Sequence, residues 1–260
     1  MNDVRVIEVK QSVFANNEKR ASLLRDELKK KKTYLLNVMS SPGAGKTTTL
    51  VKTINLLKND LKIAVMEADI DSDKDAITVS RETGVDSIQI HTGGMCHLDA
   101  DMTAQGIHEL SGEYDLIILE NVGNLVCPAE FDTGSTLNIA ILSVPEGDDK
   151  PLKYPLMFEV CDVVLINKVD VLPYFDFDIE KCKENIHYRN KNAKEIIATV
   201  SAEKAANLPQ QMIENIAKGR LGKFLKEVCL LNQEDIMDGK KTVREVLKEA
   251  DPELQIVAFK

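Results

Sequence analysis

A lysine and a threonine that follow a short glycine-containing loop offer the chemistry of phosphate binding. Residues 40–48 read SSPGAGKTT. The general phosphate-binding loop is G-x-x-x-x-G-K-[ST]. Gly45, Lys46 and Thr47 fill its last three positions, whereas Ser40 stands where the first glycine is expected. The sequence therefore predicts a nucleoside triphosphate site with an altered first position.

Each residue of this loop has a predicted role. Gly43 and Gly45 lack a Cβ, so the backbone can curl closely around phosphate oxygens. Lys46 is predicted to be catalytic because it would reach the β- and γ-phosphates, and the Thr47 hydroxyl would bind Mg²⁺. The phosphate-binding residues are predicted to be Ser41, Gly43, Ala44, Gly45, Lys46, Thr47 and Thr48. The alternative is an ordinary glycine turn before a lysine, which the strand before it and the helix after it disfavour.

The segment NKVD indicates that the base is guanine. Asp170 could accept hydrogen bonds from the guanine N1–H and exocyclic amine, a pattern that adenine cannot supply. Asn167 is expected to brace the loop, and the stem of Lys168 is expected to lie over the base. Ser201 and Ala202 follow the next predicted strand, where GTPases place a Ser-Ala pair whose backbone contacts the guanine oxygen. The predicted nucleotide is therefore GTP.

Acidic residues after two other predicted strands are candidates for the Mg²⁺ sphere. Glu120 is followed at the spacing of a D-x-x-G motif by Gly123, whose N–H could contact the γ-phosphate. Glu120 would hold Mg²⁺ directly or through water. In the acidic loop 68–76, Asp69 is favoured for the metal sphere and Asp75 for orienting water, while a solvated acidic turn is the alternative for the other aspartates.

Two cysteines and a histidine could form a second metal site. Cys96 and His97 lie near the start of a predicted helix, a position that lowers the pKa of a thiol. Cys127 lies seven residues after Glu120 and before a proline, which favours an extended backbone that presents its sulfur. Thiolate and imidazole ligands suit Zn²⁺ or Ni²⁺, and three of them leave one tetrahedral position for water or a second subunit. The alternative is two structural cysteines and an unrelated histidine.

The elements that must position these groups alternate between apolar strands and helical segments. Strands that are apolar throughout indicate a parallel sheet covered on both faces, so the predicted fold is α/β, a P-loop NTPase with a mostly parallel sheet. Ligands of such sheets bind at the carboxyl ends of the strands, where all the candidate loops lie. The predicted strands are 33–39, 61–67, 87–92, 114–120, 137–144, 160–168 and 194–201.

Composition narrows the class of protein. A net charge of −9 argues against nucleic acid and acidic membranes as partners, and no apolar run approaches the roughly 20 residues of a membrane span. The N-terminus lacks the apolar core of a signal peptide, so a cytoplasmic location is expected. The chain has five cysteines, and its sequence shows no secretion signal, so we do not expect a disulfide framework. The predicted domains are a charged N-terminal helix (1–32), a GTPase domain with the metal site (33–227) and a C-terminal extension (228–260).

Five longer segments resemble one family of GTPases. These segments are SSPGAGKTT, GMCHLDADM, ENVGNLVCPAEFD, EGDDKPLKYPLMF and LINKVDVLPYFDFD. Together they resemble the hydrogenase nickel-insertion GTPases, the HypB family, over residues 34–201. The phosphate loop of that family also has serine at the position of Ser40. The related urease accessory GTPases carry a Cys-Pro-His motif, whereas Cys96 and His97 are adjacent here.

The resemblance implies a slow GTPase that forms a homodimer when GTP is bound. It implies that this dimer delivers Ni²⁺ to the large-subunit precursor of [NiFe]-hydrogenase. A HypA-type nickel/zinc protein is the implied partner in this delivery. The resemblance also implies GTP, Mg²⁺ and Ni²⁺ or Zn²⁺ as bound groups. Cys96, His97 and Cys127 match the metal residues of the family, near its dimer interface. Lys153 matches a lysine expected to reach the nucleotide of the other subunit. The N-terminal CxxCGC or histidine-rich segment of some members is missing, since no cysteine or histidine precedes His91.

Three other functions fit parts of the pattern. The chain could be a urease-type or other nickel-enzyme accessory GTPase. It could be a metal-binding module that does not require its GTPase, or a signalling or translation GTPase whose cysteines are structural. Two measurements would separate these functions: the metal content of the purified protein, and whether the protein still functions when Lys46 is replaced.

Overall fold

The structure is a computed structural model that describes residues 5–8, 14–70 and 72–197, together with the single positions 241, 245 and 249. The chain divides into two compact units, residues 1–200 and residues 201–260. All strands and helices with described bounds lie in the first unit. Ser201, Ala202 and the predicted extension 228–260 fall in the second unit, where the three single positions are the only ones described.

Eight strands form one sheet in the order β1-β4-β3-β5-β2-β6-β7-β8, and every neighbouring pair is parallel. The predicted α/β fold with a parallel sheet is therefore confirmed. The strands are β1 (Arg5–Glu8), β2 (Tyr34–Ser40), β3 (Ile63–Asp69), β4 (Asp86–His91), β5 (Leu116–Glu120), β6 (Leu137–Ser143), β7 (Val163–Asn167) and β8 (Lys194–Ile197).

Helices connect the strands and cover both faces of the sheet. Two short 3₁₀ turns, Val144–Glu146 and Val169–Tyr174, follow β6 and β7. The α-helices are α1 (Phe14–Lys31), α2 (Lys46–Leu57), α3 (Lys74–Thr83), α4 (Ala100–Glu109), α5 (Cys127–Glu130), α6 (Lys150–Lys153), α7 (Pro155–Val160) and α8 (Ile179–Arg189). Among the described residues, no helix is both long and apolar enough to cross a membrane.

Strand β5 shows how the sheet holds a core on each face. All five of its residues are buried, and successive side chains of a strand point to opposite faces. Ile118 packs in the cluster that includes Ile54 of α2 and Val79 of α3. Leu119 packs in the cluster that includes Leu28 of α1. The apolar strands of the sequence are thus the centre of a three-layer structure.

The ends of the sheet differ most from the sequence-based expectation. Strand β1 was not predicted, because a four-residue edge strand lacks the long apolar run of the central strands. Helix α1 lies within the predicted charged N-terminal region (1–32), and its apolar residues Ala21, Leu24 and Leu28 are buried. The predicted strand over 194–201 begins as β8, and residues 198–201 lie outside the described part.

Candidate nucleotide and metal site

The phosphate-binding loop lies between β2 and α2. Gly43 and Gly45 have φ of 76° and 99°, a left-handed conformation that favours glycine. Ser40 is not among the described residues with positive φ, so serine fits at the first position of the loop. The Lys46 ammonium group donates a hydrogen bond of 3.1 Å to the buried hydroxyl of Ser40. The hydroxyl of Ser41 donates to Glu146, beyond strand β6.

The candidate base-binding loop contacts the phosphate loop directly. The Asn167 side-chain amide donates to the Ala44 carbonyl at 3.0 Å, and the Lys168 ammonium donates to the Gly43 carbonyl at 2.7 Å. A Cβ on Gly45 would lie 2.7 Å from Asn167 Nδ2. These contacts support the bracing role predicted for Asn167. Asp170 lies in the 3₁₀ turn after β7, two residues beyond Lys168.

A hydroxyl and a carboxylate that suit Mg²⁺ meet beside this loop. Thr47 Oγ1 donates a hydrogen bond of 3.2 Å to Glu120 Oε1. Glu120 is 3% exposed, and its Oε2 has no partner among the described residues. A buried carboxylate oxygen without a partner fits a hard cation such as Mg²⁺. Asp69 ends β3, and its Oδ1 accepts from the Ser72 N–H at 2.8 Å.

Glu67 is a second buried carboxyl group that was not predicted from the sequence. Burial and the charge of Glu120 raise the pKa of Glu67 well above its usual range. Burial also raises the pKa of Glu120, while Lys46 opposes that rise. Glu67 therefore holds a proton more tightly than an ordinary carboxyl group. A glutamate inside the otherwise apolar strand was the signal that could have revealed it.

A cavity of about 560 Å³ is lined by six of the predicted nucleotide-binding residues. The acidic residues Asp69, Asp75 and Glu120 also line it. Gly123 also lines the cavity, and a Cβ there would lie 3.2 Å from Pro42 Cγ. The phosphate-loop and base-loop residues that line the cavity are Pro42, Gly43, Gly45, Lys46, Thr47, Thr48 and Lys168. Ser41, Ala44, Asn167 and Asp170 are not among its lining residues.

The loop after β5 is held at its start by a pair of buried amides. Asn121 Nδ2 donates to Asn37 Oδ1 of β2 at 3.0 Å, and Asn121 Oδ1 accepts from the Val122 N–H at 2.9 Å. Both asparagines are 1% exposed. Because each amide is partnered within the core, the residue next to Glu120 has a fixed orientation.

The two candidate metal-binding cysteines are in contact. The pKa of the Cys96 thiol is raised by its hydrogen bond with Cys127, and further by burial. The expectation that a helix start lowers this pKa was therefore wrong, because α4 begins only at Ala100 and Asp99 caps it. Cys127 is the first residue of the short helix α5 and is not in an extended segment. Its sulfur accepts a hydrogen bond of 3.4 Å from Asn124.

His97 is buried beside the cysteines without joining them in one cluster. Its ring stacks on Phe131 with centroids 3.6 Å apart and an interplanar angle of 8°. Burial lowers the pKa of His97, and neither ring nitrogen has a hydrogen-bond partner in the described part of the chain. Within residues 5–8, 14–70 and 72–197, no group of three or more His, Cys, Asp or Glu side chains is arranged to hold a metal ion. The described part of the chain thus holds a pair of thiols in contact and a buried imidazole whose two ring nitrogens have no hydrogen-bond partner there.

The fold and the phosphate loop define a P-loop nucleotide-binding protein. Residues 34–198 match the family described as "CobW/HypB/UreG, nucleotide-binding domain". The chain is 42% identical over 185 residues to the hydrogenase/urease maturation factor HypB of Helicobacter hepaticus, a segment that covers 69% of this chain and 75% of that protein. The crystal structure of HypB from Helicobacter pylori in complex with nickel superposes with a TM-score of 0.67 at 36% identity, covering 80% of this chain and 94% of that one. The chain belongs to the HypB family.

Two further similarities concern the length of the chain. Hydrogenase maturation factor HypB of Azotobacter chroococcum mcd 1 is 46% identical over 183 residues, which is 70% of this chain and only 60% of that relative. Residues 178–260 match a different family, elongation factor TS. This second match covers the predicted C-terminal extension 228–260 and also residues 178–227, which the sequence predicted to belong to the GTPase domain.

Proposed function

We propose that this chain is a GTP-binding and GTP-hydrolysing nickel-delivery protein that helps to insert Ni²⁺ into the large subunit of [NiFe]-hydrogenase. The observation that carries the proposal is the loop from Glu120 to Cys127, which contributes to both candidate sites. Glu120 contacts Thr47 of the phosphate loop, and Cys127 contacts Cys96. The nickel complex of the Helicobacter pylori relative supports nickel as the cargo.

The nucleotide site is proposed to bind Mg²⁺ and GTP through this chain's own groups. Thr47 and Glu120 would hold Mg²⁺, which neutralises charge on the phosphates when it is bound. Lys46 would leave its hydrogen bond with Ser40 to meet the β- and γ-phosphates. Asp75, in the first turn of α3, would orient the attacking water. Asp170, in the 3₁₀ turn after β7, would select guanine.

The metal site is proposed to be completed by a second copy of the chain. Two thiols and one imidazole are fewer than the four ligands of a closed tetrahedral site. A GTP-dependent homodimer would bring a second set of Cys96, His97 and Cys127 nearby. Lys153 is exposed, and its Nζ lies 2.6 Å from Asp149 Oδ2. In the dimer, Lys153 would reach the nucleotide of the other subunit. A HypA-type nickel/zinc protein and the hydrogenase large-subunit precursor are the proposed partners.

The deciding experiment measures metal content and molecular mass together, with GDP and with a non-hydrolysable GTP analogue. We expect stoichiometric Ni²⁺ or Zn²⁺, a dimer with the analogue, and different Ni²⁺ affinities in the two nucleotide states. Cys127→Ala should abolish metal binding while GDP binding persists. Equal Ni²⁺ affinities would refute nucleotide gating, and a metal-free protein in all states would refute nickel delivery.

Urease is a second candidate recipient of the nickel. The Helicobacter relatives, 41–42% identical to this chain, are described as hydrogenase/urease maturation factors. Expression in cells that lack their own HypB would separate the two recipients. Restored hydrogenase activity alone supports the first function, and restored urease activity alone supports the second. A Lys46→Ala variant that still restores activity would show a metal-binding module that does not need its GTPase.

A further inference from the structure

Helix α1 contacts both segments that carry the candidate nickel ligands. Asn17 of this helix is 5% exposed, and its side-chain amide makes two long-range hydrogen bonds. Its Nδ2 donates to the Asp132 carbonyl at 2.9 Å, and its Oδ1 accepts from the Ala100 N–H at 2.9 Å. Ala100 lies three residues after His97, and Asp132 lies five residues after Cys127. A single buried amide thus bridges the two segments.

Two arginines of the same helix repeat this connection at the surface. Arg20 Nε lies 2.6 Å from Asp101 Oδ1, in the first turn of α4. Arg25 makes hydrogen bonds of 2.7 and 2.8 Å to the two carboxylate oxygens of Asp132. Each pair is more than a third exposed, so solvent weakens it. Of these three polar connections through α1, the buried amide of Asn17 is therefore the one that solvent weakens least.

Apolar contacts also join helix α1 to the segment that follows Cys127. A Cβ on Gly134 would lie 2.9 Å from Leu24 Cδ2, so α1 packs directly against the backbone that follows Asp132. The neighbouring residue Phe131 stacks on His97. A shift of this segment away from α1 would therefore move Phe131 relative to His97, and Cys127 relative to Cys96.

We propose that Asn17 is a positioning residue for the candidate nickel site. By fixing the distance between the Cys96–His97 segment and the Cys127 segment, α1 determines how well these groups bind the ion. The inference rests on the proposed function, because it presupposes that these residues bind nickel. Asn17 itself touches no ligand atom, and no residue of α1 lines the nucleotide cavity. Replacing Asn17 should therefore change metal binding and leave nucleotide binding unchanged.

Asn16 provides a matched control, because it is the same residue type on the same helix and is exposed. In the full chain, Asn17→Ala and Asn16→Ala are compared by calorimetry with Ni²⁺, by absorption spectroscopy with Co²⁺, and by GDP affinity. Replacing groups that orient metal ligands typically weakens affinity roughly 10- to 100-fold. We expect such a loss for Asn17→Ala, with a changed Co²⁺ ligand-field spectrum and GDP affinity within about twofold of the wild type. Asn16→Ala should match the wild type in all three.

Two further variants separate positioning from simple loss of stability. Leu28→Ala removes a buried side chain near the other end of α1, eleven residues after Asn17, so it destabilises the protein while leaving the hydrogen bonds of Asn17 in place. Asn17→Asp keeps an acceptor for the Ala100 N–H but sets a carboxylate oxygen against the Asp132 carbonyl, so its Ni²⁺ affinity should fall at least as far as that of Asn17→Ala. If Leu28→Ala alters Ni²⁺ binding and the Co²⁺ spectrum as much as Asn17→Ala does, the inference is overturned.

Cys127→Ala distinguishes failure of this inference from failure of the proposed function. If Cys127→Ala loses Ni²⁺ binding and Asn17→Ala retains wild-type affinity, the nickel site stands and the positioning role is wrong. If Cys127→Ala retains wild-type affinity, the proposed site itself is wrong. A parallel loss of GDP affinity in Asn17→Ala would also overturn the positioning role, because its effect would then extend beyond the metal.

Discussion

Thr47 Oγ1 lies 3.2 Å from Glu120 Oε1, and this hydrogen bond joins the first turn of α2 to the carboxyl end of β5. The chain continues from Glu120 for seven residues to Cys127. A ligand that replaces this hydrogen bond, such as Mg²⁺ with a triphosphate, therefore acts on the segment that ends in a candidate metal ligand. A nucleotide can shift the equilibrium between two arrangements only through such differential contacts.

Replacing Glu67 by glutamine should make the stability of the nucleotide-free protein less sensitive to pH. The pKa of Glu67 is raised in the folded state, so the folded protein holds a proton that the unfolded chain releases. The contribution of Glu67 to stability is therefore fully present below the unfolded pKa of about 4.3 and is lost as pH rises toward the folded value, by up to about 1.4 kcal/mol per pH unit. Glu67→Gln should flatten this slope and be more stable than the wild type at neutral pH.

Denaturant titrations from pH 4 to pH 8 measure the effect. The matched control is Glu113→Gln, which neutralises an exposed glutamate in a loop. Its pH profile should be parallel to that of the wild type. A Glu67→Gln profile that is also parallel would show that the buried pair does not link stability to pH.

Two glycines of the phosphate loop should respond differently to alanine. Gly43 and Gly45 both have positive φ, so alanine strains the backbone at each, by about 1–2 kcal/mol. Only at Gly45 would the new Cβ also meet Asn167 Nδ2, at 2.7 Å, whereas nothing lies within 4 Å of a Cβ at Gly43. Gly45→Ala should therefore break the hydrogen bond from Asn167 to Ala44 and reduce selectivity for GDP over ADP. Gly43→Ala should retain that selectivity, as measured by competitive nucleotide binding.

Asp170→Asn should change the preferred base. The aspartate is expected to accept two hydrogen bonds from guanine, and each bond to a charged group is worth roughly 1.5–3 kcal/mol. An asparagine amide can instead donate to the 2-oxo group of xanthine. We expect the affinity for GDP to fall by on the order of 100-fold or more and the affinity for xanthosine diphosphate to rise. If both affinities are unchanged, Asp170 does not contact the base.

The central sheet and the phosphate loop could be predicted because short-range patterns determine them. The strand before Gly43 and the helix after Gly45 follow from apolar periodicity and from the need for positive φ at both glycines. The carboxyl edge then brings together loops distant in sequence, and Lys46, Asp69 and Glu120 line one cavity there.

Other features depend on tertiary contacts that periodicity does not encode. Glu67 looked like the end of a strand, and its pairing with Glu120 arises only because β3 and β5 are neighbours in register. The pKa of Cys96 depends on contact with a thiol 31 residues away in sequence, which outweighs a helix start. In the sequence, Asn17 is one polar residue of a charged helix, and nothing near it indicates a special role. Its two hydrogen-bond partners lie in other segments of the chain, so only the fold reveals them.

Thiol reactivity should divide the described cysteines into two pairs. Cys161 and Cys182 are buried, and burial raises the pKa of both thiols, that of Cys182 to about 12. Because the thiolate is the reactive form, only about one Cys182 thiol in 10,000 is ionised at pH 8. Cys96 and Cys127 are partly exposed, so we expect both to react with a thiol reagent in the native protein.

Mass spectrometry of peptides from the labelled Cys229→Ala variant checks this division, since Cys229 lies outside the described residues. Labelling of Cys96 should accelerate as pH rises toward 9, because its pKa is raised. Ni²⁺ should protect Cys96 and Cys127 together, since a bound ion occupies both sulfurs, and Asn17→Ala should weaken that protection. Labelling of Cys161 or Cys182 before denaturation would contradict their burial, and protection of only one exposed thiol would mean that the two do not bind the same ion.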